Sequence, residues 1–224
     1  MKGEYDHDED ELLWLEKLEG PSEVGIAAVE YIKNKRPTDT KLSILDIGCG
    51  NGRDALHLSN NLDCEVLGID ISREAIDIAT ARAGEAQNKR VRFQCRSYTE
   101  LSAGRFDVVL CASVYHFLNR EAREELRHVI RRSLQPGGML FLSTLSTSDS
   151  EYYGKGEPVD GEAHSFRNDM YTHFSTREEL TRDFGFVNIE ELYEHDDYDP
   201  RVKGPVNYIP WILIGRYAGK ERHS

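Results

Sequence analysis

The stretch Leu42–Gly52, reading LSILDIGCGNG, constrains this chain more than any other. Leu42–Ile47 is a short apolar run, glycines follow at 48, 50 and 52, and a helical pattern starts at once with Arg53–Asn61. Glycine has no Cβ, so alternate glycines let the backbone turn sharply and approach a ligand closely. A strand that ends in such a turn and feeds a helix is the ligand-binding turn of open α/β sheets. Two carboxylates strengthen that reading over a tight turn with no ligand. Asp46 closes the first strand, where it can face a cationic ligand group directly or through water. Asp70 closes the second, eighteen residues after Gly52, where it can accept both hydroxyls of a ribose. A dinucleotide fingerprint, G-x-G-x-x-G, needs glycine at 53, and the residue there is Arg53. A loop packed on an adenosyl–amino-acid ligand therefore matches better than one hugging a pyrophosphate.

The rest of the chain repeats the alternation of strand and helix. Glu65–Ile69, Val91–Cys95, Phe106–Ala112 and Met139–Leu145 read as strands. Between them Ser72 caps a helix reaching about Ala86, and Asn119 caps Arg120–Leu134, which Pro136-Gly137-Gly138 terminates. Strands apolar on both faces belong in parallel sheets covered by helices. Upstream, Glu11–Glu19 reads as a short amphipathic helix and Ser22 caps a second one. Downstream, 146–174 reads as a long polar loop, and Ser175-Thr176-Arg177-Glu178 as a capping box opening a helix that ends near Gly185. Phe186–Tyr193 and Ile209–Tyr217 are the last strands, with no helical pattern between them, so they can pair antiparallel. The expected fold is a doubly wound, Rossmann-like α/β domain over 41–224, preceded by an acidic tail and helices over 1–40.

These motifs together resemble the class I S-adenosylmethionine-dependent methyltransferases over residues 42–145. Leu45–Gly52 is similar to that family's first motif, Gly68-Ile69-Asp70 to its second, and Phe106-Asp107-Val108-Val109 to its fourth-strand motif. Val114-Tyr115-His116-Phe117-Leu118 and Leu134-Gln135-Pro136-Gly137-Gly138 are similar to the segments that follow. The resemblance implies a seven-stranded sheet, mostly parallel with the last strand antiparallel, and S-adenosyl-L-methionine as cofactor. It implies a cofactor set of Asp46, Gly48, Cys49, Gly50, Gly52, Asp70, Ile71, Ser97, Tyr98 and Cys111. Family members often carry an acid after strand three that accepts the adenine amino group. Ser97 stands there in this chain, with the Tyr98 backbone N–H available to a ring nitrogen. Tyr152-Tyr153-Gly154-Lys155-Gly156 and His173-Phe174-Ser175-Thr176 are loosely similar to small-molecule methyltransferases of the tellurite-resistance type, which suggests a small soft nucleophile or metabolite as acceptor.

A sulfonium methyl is already activated, so the protein mainly has to align the reacting atoms. A base is needed only where the acceptor arrives protonated. His116, just after strand four at the ligand-bearing rim, is the best candidate base, set against a packing role near the cofactor. Tyr115 and Tyr153 complete the catalytic candidates, and 146–174 is the expected substrate lid loop. Asp6-His7-Asp8-Glu9-Asp10 and His195-Asp196-Asp197 read as solvated charge, and no metal is expected.

Composition narrows the partners. With 28 basic and 40 acidic residues the formal charge is −12, which argues against binding driven by nucleic-acid phosphates. No apolar run approaches the ~20 residues of a membrane helix. Cys49, Cys64, Cys95 and Cys111 contain no C-x-x-C pair and read as reduced, mostly buried thiols of a cytoplasmic protein. The expected partner is a small-molecule acceptor, and the assembly a monomer or homodimer. Two rival readings stand beside methyl transfer: a non-catalytic cofactor-binding regulator of the same fold, and a nicotinamide-dependent oxidoreductase, which Arg53 disfavours.

Overall fold

The computed structural model describes residues 18, 20–35, 40–101, 104–198 and 207–219. The expected helix Glu11–Glu19, apart from Leu18, lies outside the described residues, as does the acidic run at 6–10. Five strands alternate with helices: α1 (Glu23–Lys35), β1 (Leu42–Ile47), α2 (Arg53–Asn61), β2 (Cys64–Asp70), α3 (Arg73–Glu85), β3 (Val91–Cys95), β4 (Phe106–Ala112), α4 (Arg120–Ser133) and β5 (Leu134–Leu145). Short strands β6 (Glu157–Pro158), β7 (Ser165–Arg167) and β8 (Tyr171–His173) follow, then α5 (Arg177–Asp183), β9 (Asn188–Glu194), β10 (Asp197–Tyr198), β11 (Asn207–Tyr208) and β12 (Pro210–Arg216).

The main sheet has seven strands in the order β3-β2-β1-β4-β5-β12-β9. Strands β1 to β5 pair in parallel, and β12 runs antiparallel to both β5 and β9. The expected class and the reversed last strand are both present. Consecutive strand residues serve opposite faces, which is why the strands read as continuous apolar runs. Ile44, Val108, Phe141 and Ile212 pack with Val24, Ala28 and Ile32 of α1 and with Leu58 of α2. Their neighbours Leu45, Val109, Leu142 and Leu213 pack with Leu126 and Ile130 of α4 and Leu180 of α5. Each such side chain contributes ~1.5–3 kcal/mol on burial, so both helix layers are held by the alternation itself.

The helix starts follow their caps. Ser22 Oγ accepts from Gly25 N at 3.2 Å, Ser72 Oγ from Ala75 N at 3.1 Å and Asn119 Oδ1 from Ala122 N at 2.9 Å. One cap is shifted from expectation. Thr176, not Ser175, caps α5, its hydroxyl accepting from Glu179 N at 3.1 Å, while Ser175 continues the backbone ladder beside Ser146. A second correction concerns β5, which starts at Leu134 rather than Met139: Phe106 pairs with Leu134 and Val108 with Met139, so the Pro-Gly-Gly turn is absorbed as a register shift within the strand.

Residues 146–174 are not the irregular loop the sequence suggested. They form a separate three-stranded antiparallel sheet, β6-β7-β8, inserted after β5. Its entrance is fixed by Asp149, 1% exposed, whose Oδ1 accepts from Glu151 N and Tyr152 N (3.0 and 2.7 Å) and whose Oδ2 accepts from Ile209 N at 2.8 Å. The exit is tied by the Trp211 indole, which donates to Ser175 O at 2.9 Å.

Candidate active site

Strand order reverses between β1 and β4, and open α/β sheets bind ligands at the carboxyl ends of the strands beside such a switch. Three turns meet there: the glycine turn after β1, Asp70–Ser72 after β2, and Ser113–Phe117 after β4.

All three glycines of the first turn have positive φ, 71° at Gly48, 50° at Gly50 and 78° at Gly52. They do different work. A Cβ on Gly48 would lie 2.2 Å from Val114 Cγ2, so the post-β4 turn closes directly over it. A Cβ on Gly52 would meet the Phe93 ring at 2.6 Å and Ala79 Cβ at 2.9 Å, so this glycine admits the packing of α2. Backbone and carboxylate then lock the turn. Gly48 N and Cys49 N donate to Ile69 O at 2.8 and 3.0 Å. Asp70 accepts from Gly50 N (Oδ2, 2.9 Å) and Ser72 N (Oδ1, 3.0 Å). Asp70 is thereby aimed at the loop, and each carboxylate oxygen keeps a second acceptor site.

Asp46 lies beneath the turn, 1% exposed, and its Oδ2 has no hydrogen-bond partner among the described residues. Burial pushes its pKa well up, the Asp54 and Asp70 carboxylates add to the shift, and the Arg53 guanidinium opposes it. A buried carboxylate with an orphan oxygen calls for a cation or donor, since desolvated charge without a partner is costly. The α-ammonium of an adenosyl–amino-acid ligand is such a group. Ile71, beside Asp70, exposes 57% of its surface and presents an apolar face. The residues present thus fit S-adenosylmethionine.

Other expected site residues fall in different places. Ser97 is half-buried and caps a short 3-10 turn at Tyr98–Glu100, accepting from Thr99 N at 3.2 Å, with its hydroxyl 2.9 Å from Thr99 Oγ1. The Tyr98 hydroxyl donates to Ala122 O at 3.2 Å. Cys49 and Cys111 are buried, with thiol pKa values pushed well up by burial and further by the Asp46 carboxylate. Cys111 is 0% exposed and packs in the core between β4 and the α4 layer.

Among the catalytic candidates, Tyr115 turns into the helix layer. It is fully buried, and its hydroxyl donates to Asp183 Oδ2 at 2.9 Å while accepting from Arg127 Nη1 at 2.7 Å. That makes it a brace between α4 and α5. His116 is 5% exposed, its ring 4.1 Å from that of Phe117, on the turn against which β8 packs. Tyr153 belongs to the inserted module, with its hydroxyl 2.7 Å from His164 Nδ1.

Sequence reasoning missed several residues here. Asn51, 1% exposed, donates to Leu18 O at 3.1 Å, Arg53 to Gly20 O at 3.4 Å and Arg82 to Leu18 O at 3.2 Å. Asp54 accepts from Ser22 N at 2.6 Å and Ser22 Oγ at 2.8 Å. The segment before α1 is thus stapled to the glycine turn by long-range bonds that no local pattern announces. Ser113, φ 56°, is a left-handed non-glycine at the end of β4, bending the chain onto Gly48. Asp107, within a recognised motif, is structural: it accepts from Ser43 N and Ser43 Oγ at 2.9 and 2.7 Å, at the opposite end of the sheet. His195, read above as solvated, has Nε2 3.6 Å from Glu23 Oε2.

Residues 44–138 match the family model described as a methyltransferase domain. A ubiquinone biosynthesis O-methyltransferase of Albidiferax ferrireducens is 33% identical over 127 residues, 55% of this chain and 49% of that protein. The structure of an S-adenosylmethionine-dependent methyltransferase from Methanosarcina mazei superposes with a TM-score of 0.70 at 22% identity, over 82% of this chain and 95% of that one. TehB from Haemophilus influenzae superposes with a TM-score of 0.65 at 18% identity, over 85% of this chain and 61% of that one. The chain spans about half the length of the curated relatives it matches. Residues 44–138 thus carry a methyltransferase-domain match, and the chain has the fold of the S-adenosylmethionine-dependent methyltransferase on which it superposes. No helix among the described residues is long and apolar enough to cross a membrane.

Proposed function

We propose that this chain binds S-adenosylmethionine in the glycine turn and transfers its methyl group to a small-molecule acceptor held under the 146–174 module. The observation that carries the reading is the buried, orphan Oδ2 of Asp46 at the floor of a turn built of left-handed glycines. The cofactor supplies a methyl group already activated on a sulfonium. Asp46 holds the ammonium end, Gly50 admits close backbone approach in a turn that Gly48 lets Val114 close over, and Asp70 accepts the ribose hydroxyls. Ile71 covers one adenine face, while Ser97 Oγ and Tyr98 N–H address its edge. Cys49 and Cys111 contribute backbone only. The module leaves the carboxyl end of β5, the same rim as the glycine turn, and excludes water from the acceptor. The ubiquinone-pathway relative supports a metabolite acceptor, as does the acidic balance of the chain.

Calorimetry with S-adenosylmethionine and NAD, followed by transfer of a labelled methyl group to a metabolite panel, tests this. Binding of S-adenosylmethionine alone, with label appearing in a small molecule, is expected. Preferential NAD binding would overturn the cofactor assignment, and binding without transfer would favour a regulator of the same fold.

A further inference from the structure

In the turn after β4, neither of the two candidate proton acceptors, Tyr115 and His116, is open to a ligand. Tyr115 is committed to Asp183 and Arg127, and His116 is buried behind its turn. Within the module, Ser165, His173 and Glu179 form a chain, with Ser165 Oγ 2.9 Å from His173 Nδ1 and His173 Nε2 3.3 Å from Glu179 Oε2. Ser165 and His173 are at most 1% exposed, so this chain is closed to any solute.

A second pair is open. Tyr153 and His164 are both half-buried, and the Tyr153 hydroxyl lies 2.7 Å from His164 Nδ1. The pair is held from behind. Tyr153 packs edge-on against Phe166 and Phe174, with centroids 5.3 and 5.4 Å away. His164 takes a left-handed backbone, φ 60°, in which its carbonyl accepts from Phe174 N at 2.9 Å. Non-glycine residues in that region persist where the surroundings over-determine them, and they cluster at functional sites. The turn carrying His164 is pinned to the start of α4, directly after the 115–117 turn: Glu162 Oε2 accepts from Arg120 N at 3.1 Å, and Gly161 O accepts from Arg120 Nη2 at 2.5 Å. His164 and Phe166 also line an open recess of about 500 Å³, so the pair is reached from its imidazole side, and the Tyr153 ring is itself only half-buried.

We propose that Tyr153 and His164 form a proton-accepting pair for a hydroxylated aromatic acceptor, an assignment that rests on the methyl transfer proposed above. A neutral imidazole accepting at Nδ1 lets the Tyr153 hydroxyl donate to it, leaving the phenolic oxygen's lone pairs toward the acceptor. The acceptor O–H proton passes to Tyr153 Oη as the Tyr153 proton passes to His164 Nδ1. The freed oxygen lone pair forms the O–CH₃ bond while the C–S bonding pair returns to sulfur, and the positive charge ends on the imidazolium. A thiolate or other soft anion would need no such pair, so its presence selects an acceptor that arrives protonated at oxygen. The partly exposed Phe166 ring supplies a flat apolar wall suited to an aromatic acceptor.

The test uses 4-nitrophenol, whose phenolate absorbs apart from the phenol, bound to the full chain with S-adenosylhomocysteine present. Wild-type protein should show bound phenolate about one pH unit below where the free probe ionises. Tyr153→Phe and His164→Gln should bind the probe within about threefold and lose that signal. Both should slow methyl transfer to the probe roughly a hundredfold in kcat, the reach of general base catalysis, and move the acid limb of its pH profile. Probe bound in its protonated form, phenolate retained in both variants, or no probe binding would each overturn the proposal. Failure to bind S-adenosylhomocysteine would overturn the methyl-transfer reading beneath it.

Discussion

The glycine turn and the 146–174 module stand on one rim of the sheet, yet they are built in opposite ways. The turn is a backbone structure: its bonds run from Gly48, Cys49 and Gly50 N–H groups to Ile69 O and Asp70, and its shape needs three left-handed glycines in sequence. The module is a side-chain structure. Arg123, 4% exposed, donates to Leu118 O at 2.7 Å and Tyr171 Oη at 2.6 Å and pairs with Glu162 at 3.4 Å. Tyr171 Oη in turn donates to Glu162 Oε2 at 2.9 Å and lies 3.0 Å from Ser165 Oγ, which meets His173. A local motif can write the first kind of structure, whereas the second exists only once distant residues have met. On the proposed reading, the geometry of the turn serves the cofactor and the module serves the acceptor.

That contrast is sharpest under mutation of its two centres. Arg123→Leu should destabilise the module most, by about 3 kcal/mol, because Glu162 and Tyr171 lose a buried cation that they cannot replace. Hydrogen exchange should speed in 157–173 while β1, β2 and β4 stay protected, and protection unchanged in the module would refute the side-chain account. Gly50→Val comes next. A β-branched residue at φ 50° is strained, and its side chain would enter cofactor space. S-adenosylmethionine affinity should fall at least a hundredfold, or ~2.7 kcal/mol, with the circular dichroism of the sheet retained. Undiminished binding would show that the turn faces elsewhere.

Acid should separate the regions further. Burial holds the His173 imidazole pKa below its usual value, against the opposing pull of Glu179. The folded state therefore prefers neutral His173. Its contribution is whole above the imidazole's unfolded pKa, ~6.5, and is lost as pH falls from there toward the depressed folded value. Exchange in the module should quicken as pH falls below about 6.5, and His173→Gln should flatten the dependence. An equally steep response in the variant would place the titration elsewhere.

Legibility followed the same division. The alternation of strands and helices, the antiparallel pairing of the last two strands and the positions of Asp46, Asp70 and the glycines could be read because each is stated locally, as a run, a cap or a spacing. The module read as a loop because its strands are two or three residues long, too short to show a period, and its order comes from Arg123, Asp149 and Trp211, which lie outside it or at its entrance. Tyr115 and His116 illustrate the limit within a recognised motif. Adjacent in sequence, both read as catalytic candidates, with His116 ahead as the base, and nothing local shows that the hydroxyl of Tyr115 is drawn inward by Asp183, sixty-eight residues away. The staple from Ser22 to Asp54 is equally non-local, at thirty-two residues.

The smallest expected effect is the most discriminating. Replacing Pro158–Met170 with a short Gly/Ser link removes β6, β7 and the open recess while leaving Asp149, Tyr153 and Phe174 in the chain. If the backbone turn alone holds the cofactor, S-adenosylmethionine affinity should stay within threefold, about 0.7 kcal/mol. Methyl transfer should fall far more, because positioning of the acceptor supplies much of the rate, ~7–11 kcal/mol where alignment is complete. Both numbers come from one variant, and retained hydrogen-exchange protection of β1, β2 and β4 shows that its sheet is still folded. Equal loss of affinity and rate would mean that the module also covers the cofactor, and that backbone and side-chain regions share one ligand. Full activity would reduce the module to surface structure, and the acceptor would then have to be held by the 113–117 turn and the carboxyl ends of β4 and β5.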